Sequence, residues 1–486
     1  MKMLKKRYLI PLALSAAIAA AAGCSSSPKT PPSAGSESSA GNPTVQDSGT
    51  EEALESQTFD GEKILVWTNN RHDAEYMEEV VKNFNEENKG QIEIEYVITT
   101  ENYINMITMA VSSDQAPDIF CVGAATGGFD LNSFVASGII QPLNPLLSDE
   151  FKEVYDLSKL SYPGINALGE DIYFVPTCQR SGNRLLYNKE MFEAVGITKD
   201  PENLGEVVEA AKKMTETGGG IKYGIGMPGL SACFKRFLYP AAEVSGILPY
   251  DYVNGRYDFT GYKPVIEAAR QMFTDGSMIP GAASLKIDPL RVQFAEGNIG
   301  IIGNASQEVG VLTDQFPAKM EWGVAEIPSL DGTIKGSLSA LPQTGWAMTT
   351  TAKNPAAAAK VIEYLSSVDV MKGYVENGYS LPTSDKVMEA VDQSKIGKLA
   401  EFAPLSYESV YPQFPNVTPQ GKNWEEVLWE ACFPEAGDID PILETLTKDY
   451  NDALDKEVKM GKTKRLVIKD FDPLKPAEGT LEYLEQ

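Results

Sequence analysis

Apolar residues along this chain recur at two spacings, and the spacings take turns. From about Phe59, Lys63-Ile64-Leu65-Val66-Trp67 is a short apolar run, and Tyr76, Val80, Val81 and Phe84 then fall at helical spacing. Ile92, Ile94, Tyr96 and Ile98 next alternate with Glu93, Glu95 and Val97, so the start predicts strand, helix, strand. Tyr103, Met106, Ile107 and Ala110 predict a second helix, and Asp118-Ile119-Phe120-Cys121-Val122 a further buried strand. The alternation returns in a helix over Leu204, Val207, Val208, Ala211 and Met214, a strand at Ile299-Gly300-Ile301-Ile302, and a helix over Ala358, Val361, Ile362 and Leu365. The fold class is therefore α/β. Parallel strands joined by right-handed crossovers place loops and ligand at the carboxyl ends of the strands. No tandem repeat and no linker interrupts residues 59–470, so two lobes sharing crossings of the chain fit better than two separate beads.

The first residues read differently. Lys2, Lys5, Lys6 and Arg7 precede an Ala-rich apolar run, Tyr8 to Gly23, too short and too small in its side chains for a comfortable membrane span. This predicts an export signal over residues 1–23. It ends in Ala21-Ala22-Gly23-Cys24, which resembles the lipobox of bacterial lipoproteins and implies acylation of Cys24 and cleavage before it. Residues 24–58 are rich in Ser, Pro, Gly and acidic residues, cannot bury enough apolar area to offset the entropy of ordering, and predict a flexible tether.

Charge narrows the choice of partner. With 42 Lys+Arg against 68 Asp+Glu the net charge is −26, which argues against nucleic acid. Cys121, Cys178, Cys233 and Cys432 form no CxxC pair and have no His neighbour, so a metal site is not expected; buried free thiols are the default, two disulfides the alternative. His72 is the only histidine, and no GxSxG, P-loop or HExxH motif occurs, so the inventory for catalysis is thin and no cofactor is implied. A glycosidase using two carboxylates is the enzymatic alternative. Five Trp and 21 Tyr give more to work with: aromatic faces stack on the C–H faces of sugar rings while amides and Arg bond the hydroxyls. Most of these aromatics are nevertheless expected to fill core.

Four stretches in order carry a resemblance. They are Ser113-Asp114-Gln115-Ala116-Pro117-Asp118-Ile119-Phe120; Asp171-Ile172-Tyr173-Phe174-Val175-Pro176 with Leu186 to Ile197; Phe294 to Gly303; and Trp322-Gly323-Val324 through Gly345-Trp346-Ala347-Met348 to Asn354-Pro355 and Leu381-Pro382. Following a lipobox and a tether, they make the chain similar to extracellular solute-binding proteins of family 1, the maltose-binding-protein-like sugar-binding lipoproteins of ABC transporters. The residues have readings of their own beside this. Pro117-Asp118 ends a helix and starts a strand, Asn188 is an N-cap, and Gly297, Gly300 and Gly303 allow close approach without forming a phosphate cradle.

The resemblance implies a two-lobed fold, each lobe a mainly parallel sheet flanked by helices, with a hinge between. It places lobe 1 at 59–177 plus about 329–378, lobe 2 at 178–328 plus about 379–470, and a C-terminal tail at 471–486. Ligand would lie in the cleft between lobes. Carried over by position, the ligand-binding candidates are Trp67, Asn69 and Arg71 after the first strand, and Gln179 and Arg180 at a crossing. Tyr239, Asn304 and Ser306 follow, with Trp346 and Trp424 as stacking rings; Glu243 is a weaker candidate beside Tyr239. Arg71 and His72 stand where the maltose-binding protein has an acidic then a basic residue, and the small loop Gly123 to Thr126 also departs from it, so its sugar specificity does not transfer. Arg71 and Arg180 raise the hypothesis of a uronic-acid-containing sugar. The implied function is non-enzymatic capture of a carbohydrate, an oligosaccharide in the first place, for delivery to the membrane subunits of an ABC permease by a monomer anchored through lipid. The implied location is extracytoplasmic, a Gram-positive cell surface ahead of a Gram-negative periplasm. A polyol phosphate or a polyamine is the alternative solute.

Overall fold

The computed structural model describes residues 59–484 other than 72, 100, 124–125, 230–233 and 418. The expected signal, Cys24, the tether, His72 and Cys233 lie outside the described residues. Ten strands build two sheets: β1 Glu62–Thr68, β2 Ile92–Ile98, β3 Ile119–Val122, β4 Phe174–Arg180, β5 Arg184–Asn188, β6 Tyr223–Gly226, β7 Ile299–Asn304, β8 Trp322–Glu326, β9 Leu341–Met348 and β10 Leu381–Pro382. Lobe 1 holds six of them in the order β10-β4-β9-β3-β1-β2, and lobe 2 holds four in the order β8-β5-β7-β6.

Hydrophobic spacing explains most elements. In β2, Ile92 and Ile94 are buried while Glu93 and Glu95 face water, as an edge strand requires. Helix Ala74–Glu87 buries Met77, Val80, Val81 and Phe84, while Tyr76, expected on that face, is only half buried. In helix Tyr103–Ser112, Ile104 joins Tyr103, Ile107 and Ala110 inside and Met106 turns outward. Asp118 works as scaffold: its carboxylate accepts from the Leu65 N–H at 2.9 Å and the Lys353 N–H at 3.2 Å, tying β1 to the loop after β9. Asn188 caps helix Lys189–Ala194 by accepting from the Met191 N–H at 3.1 Å.

Two expected boundaries shift. Helix Asp385–Ala390 and β10 pack with the lobe 1 elements, and β10 pairs with Cys178 and Gln179 of β4, so the third passage between lobes comes after residue 390 rather than near 379. Residues 471–486 are not all a tail either. Thr480–Leu484 pairs antiparallel with Arg465–Lys469, whose alternating Leu466 and Ile468 are buried beside Tyr252. Among the described residues no helix is long and apolar enough to cross a membrane.

Cys121 and Cys178 are free and buried, and Cys432 is buried, its thiol donating to the Leu428 carbonyl at 3.2 Å. Cys121 on β3 and Cys178 on β4 flank β9, so their backbones stand two strand spacings apart, roughly 9–10 Å, beyond the roughly 7 Å that a disulfide spans. Burial, first among several influences, pushes their thiols up to about 12 and about 11, which keeps them protonated and unreactive.

Candidate functional site

Strand direction decides where a site can form. In lobe 1, β1, β2 and β3 are parallel, and β4 runs with them because both β3 and β4 are antiparallel to β9. Thr68, Val122 and Arg180 therefore end at one rim. In lobe 2, β6 and β7 are parallel and end at Gly226 and Asn304, while the antiparallel β5 starts opposite Asn304 with Arg184. Only residues 181–183 separate β4 from β5, so at this crossing the two rims lie within about 14 Å of chain. Both sheets present carboxyl ends to the same gap, the place where open α/β sheets bind ligands.

The crossings are fastened to one another. Arg184 is buried and ion-paired with buried Glu408. It also donates to the carbonyls of Gly182 at 2.9 Å and Ala403 at 3.0 Å, and the other Glu408 oxygen accepts from the Gly182 N–H at 3.1 Å. Leu338–Ser339 pairs in parallel with Glu408–Ser409, and the Ser339 hydroxyl donates to Glu243. Burial raises the Glu243 carboxyl to about 7 against the opposing pull of Ser339.

At the lobe 2 rim a polar cluster is enclosed. Arg236, on the π-helical turn Phe234–Leu238, donates to the Asn304 side-chain oxygen. That oxygen also accepts from Gln307 Nε2 at 2.7 Å and from the Ala305 N–H at 3.1 Å. Next to it, fully buried Glu308 is gripped at both oxygens by Arg291, with Nε 3.1 and 3.0 Å away. Arg180 adds a guanidinium from lobe 1. Its Nε is buried without a partner, as are Asn304 Nδ2 and Gln307 Oε1. Burial first, then the charge of Arg180, lowers the Arg236 guanidinium to about 10.

Aromatic surface adjoins this cluster. Tyr239 opens helix Tyr239–Val244 directly after the π-helical turn that carries Arg236. Trp424 opens helix Trp424–Ala431, capped by Asn423, and its ring lies 5.6 Å from that of Tyr239 and 5.9 Å from Phe259. Lys235 pairs with Glu425 at 2.7 Å, fastening the two helix starts together. Tyr239 and Trp424 are both half buried, and Trp424 also packs against Phe234 and Tyr262.

The structure thus gathers Arg180, Asn304, Ser306, Tyr239 and Trp424 on or beside one polar and aromatic surface. Two of these are changed in role. Asn304 and Ser306 are buried, and the Asn304 oxygen is already committed to its own neighbours, so only its Nδ2 remains to bond a solute. Trp346 is corrected outright: it is 5% exposed inside lobe 1, between Cys121 and Val175, and borders a void of about 20 Å³ that no sugar ring could enter. Trp67 is half buried against the Tyr103 and Phe174 cluster, and its carbonyl accepts from the Tyr103 hydroxyl at 2.9 Å. Asn69 and Gln179 are half exposed at the lobe 1 rim, and Arg71 is exposed. Arg236, Arg291, Gln307 and Glu308 were not expected.

A groove of about 820 Å³ runs between helices Ala74–Glu87 and Val368–Glu376, but it shares no residue with the rim cluster. Among the described residues no group of three metal-ligating side chains occurs.

Residues 68–372 match the model of the bacterial extracellular solute-binding protein family. A binding protein of Brucella abortus (strain 2308) and one of Brucella suis biovar 1 are each 27% identical over 354 residues, 72% of this chain and 82% of theirs. Among solved structures, RafE from Streptococcus pneumoniae is similar with a TM-score of 0.64 and 18% identity, over 81% of this chain and 98% of its own. The MalE maltodextrin-binding domain of Bdellovibrio bacteriovorus with maltotriose gives 0.59 at 20%, over 82% and 99%. Lmo0181 of Listeria monocytogenes with cycloalternan gives 0.59 at 16%, over 82% and 100%. At these identities the likeness to solved structures is one of fold.

Proposed function

Because the chain belongs to the bacterial extracellular solute-binding protein family, we propose that it is the substrate-capturing lipoprotein of an ABC importer, taking an oligosaccharide into the gap between its lobes and delivering it to a separate permease. The observations that carry this reading are the half-buried ring pair Trp424 and Tyr239 and, near the helix start, the unpartnered polar atoms on Arg180, Asn304 and Gln307. Sugar rings have apolar C–H faces and polar edges. The rings would take the faces, and the guanidinium and amides would take the hydroxyls that otherwise leave buried groups without partners. Asn69 and Gln179 would contact the solute from the opposite rim. Closure about the fastened crossings would bring the rims together and present one surface to the permease.

Solved structures of this fold hold maltotriose, raffinose and cycloalternan, and one holds the single sugar tagatose, which supports a carbohydrate. The concentration of guanidinium groups disfavours a polyamine. A polyol phosphate is the second reading, on the strength of Arg180 and Arg236. Lipid on Cys24 would hold the protein at the outer face of the membrane, with two or three acyl chains each contributing about 0.8 kcal/mol per buried methylene.

A thermal-shift screen of the full chain against neutral oligosaccharides, uronic-acid oligosaccharides, polyol phosphates and polyamines tests this. A ligand at about 100 times its Kd stabilises the folded state by roughly 2.7 kcal/mol. A shift with sugars and with no other class is expected. A shift only with polyamines or phosphates would overturn the substrate class, and cleavage of a labelled oligosaccharide would overturn the receptor reading.

A further inference from the structure

We infer that the saccharide this cleft selects is acidic, a uronic-acid-containing oligosaccharide whose carboxylate is received by Arg180. The inference rests on the carbohydrate reading above and narrows it to one class.

Four charged side chains meet at the lobe 2 rim and the end of β4: Arg180, Arg236, Arg291 and Glu308. Glu308 is the carboxylate of the group, and Arg291 occupies both of its oxygens. The Arg180 side chain makes no hydrogen bond or ion pair among the described residues, and its Nε is shut away from solvent. Burying part of a guanidinium without a hydrogen-bond partner is costly; the Glu308 charge offsets some of that cost, and Arg291 and Arg236 add repulsion of like sign. A sugar hydroxyl would satisfy the N–H groups but add no negative charge against three guanidinium groups and one carboxylate. A carboxylate does both, because its two oxygens match two parallel N–H donors of the planar fork.

The surroundings separate an acidic sugar from a free anion. Tyr239 opens the helix that follows the turn carrying Arg236, with the Trp424 ring beside it. A pyranose lying on those rings can direct a carboxyl group on its edge toward Arg180, whereas a bare anion would leave the rings without a role. Arg71 is exposed and contributes nothing that this arrangement needs.

The test is calorimetric titration of the full chain with trigalacturonate and with a glucuronate-substituted xylotriose, each against its methyl ester, and with galactotriose, xylotriose and inorganic phosphate. The acid form of at least one pair is expected to bind about 10- to 100-fold more tightly than its ester, the range of a charge-assisted hydrogen-bonded pair. Arg180→Gln should erase that difference and Arg180→Lys keep part of it, with ligand-free melting temperatures showing that both variants fold. The wild-type comparison of acid with ester stands without either variant. Esters or neutral sugars binding as tightly as the acids would overturn the inference and leave the carbohydrate reading standing. Binding of phosphate alone, or of no probe at millimolar concentration, would overturn both.

Discussion

Arg184→Met attacks the fastening of the crossings at its centre. The ion pair with Glu408 is dry, its side chains only 2% and 3% exposed, and the same guanidinium serves the carbonyls of Gly182 and Ala403. Methionine fills most of the volume but leaves Glu408 a buried, uncompensated charge. Losing one partner of such a pair costs ~3–5 kcal/mol. With an unfolding entropy of ~2.1 cal/mol/K per residue, a unit spanning Glu51–Gln486 has about 0.9 kcal/mol/K in total, so the melting temperature should fall by roughly 3–6 °C. Adding Glu408→Gln in the same chain removes the stranded charge and should recover part of the loss, a coupling that a double-mutant cycle reads directly. Calorimetric melting of the wild type, both single variants and the double variant is the assay. A drop below about 1 °C for Arg184→Met, or losses that simply add in the double variant, would refute the view that this pair is a dry clamp.

Three further outcomes follow from particular contacts. Glu243 has a folded-state carboxyl near 7 against the usual 4.5, so its contribution to stability is complete below about 4.5 and is lost as pH rises through 7; 2.5 units correspond to about 3 kcal/mol, and Glu243→Gln should flatten denaturant-derived stability between pH 5 and 8. Trp424→Ala should weaken affinity for the sugar found by thermal shift about 10-fold or more, whereas Trp346→Phe should lower the melting temperature and leave affinity alone, both read by titration and melting. Gly123→Ala would place a methyl group 2.1 Å from the Gln343 carbonyl oxygen across the β3–β9 pair, so urea unfolding should show a loss of ~2 kcal/mol or more.

Much of this architecture was legible because its signals are local. The alternation of Ile92 and Ile94 with Glu93 and Glu95, the period of Leu204, Val207, Ala211 and Met214, and the cap at Asn188 all depend on residues a turn or a pleat apart. The site was less legible because it is assembled from a distance. Arg180, Arg236, Asn304 and Trp424 belong to four separate segments, and the π-helical turn that aims Arg236 at Asn304 leaves no periodic trace. Two tryptophans that look alike in sequence part ways for the same reason: Trp346 sits in a strand with neighbours on both sides, whereas Trp424 begins a helix at the rim. The strand at Thr480–Leu484 was missed because the Pro473, Pro476 and Gly479 that precede it suit a tail as well as a turn.

The place of β9 in its sheet bears on how the molecule is made. It lies between β3 and β4, yet it is synthesised some 160 residues after β4 has emerged, so until residue 341 appears the lobe 1 sheet consists of two unjoined pieces with open edges. A nascent chain of this design cannot lock its first lobe early. During that interval it depends on whatever shields bare strand edges from one another.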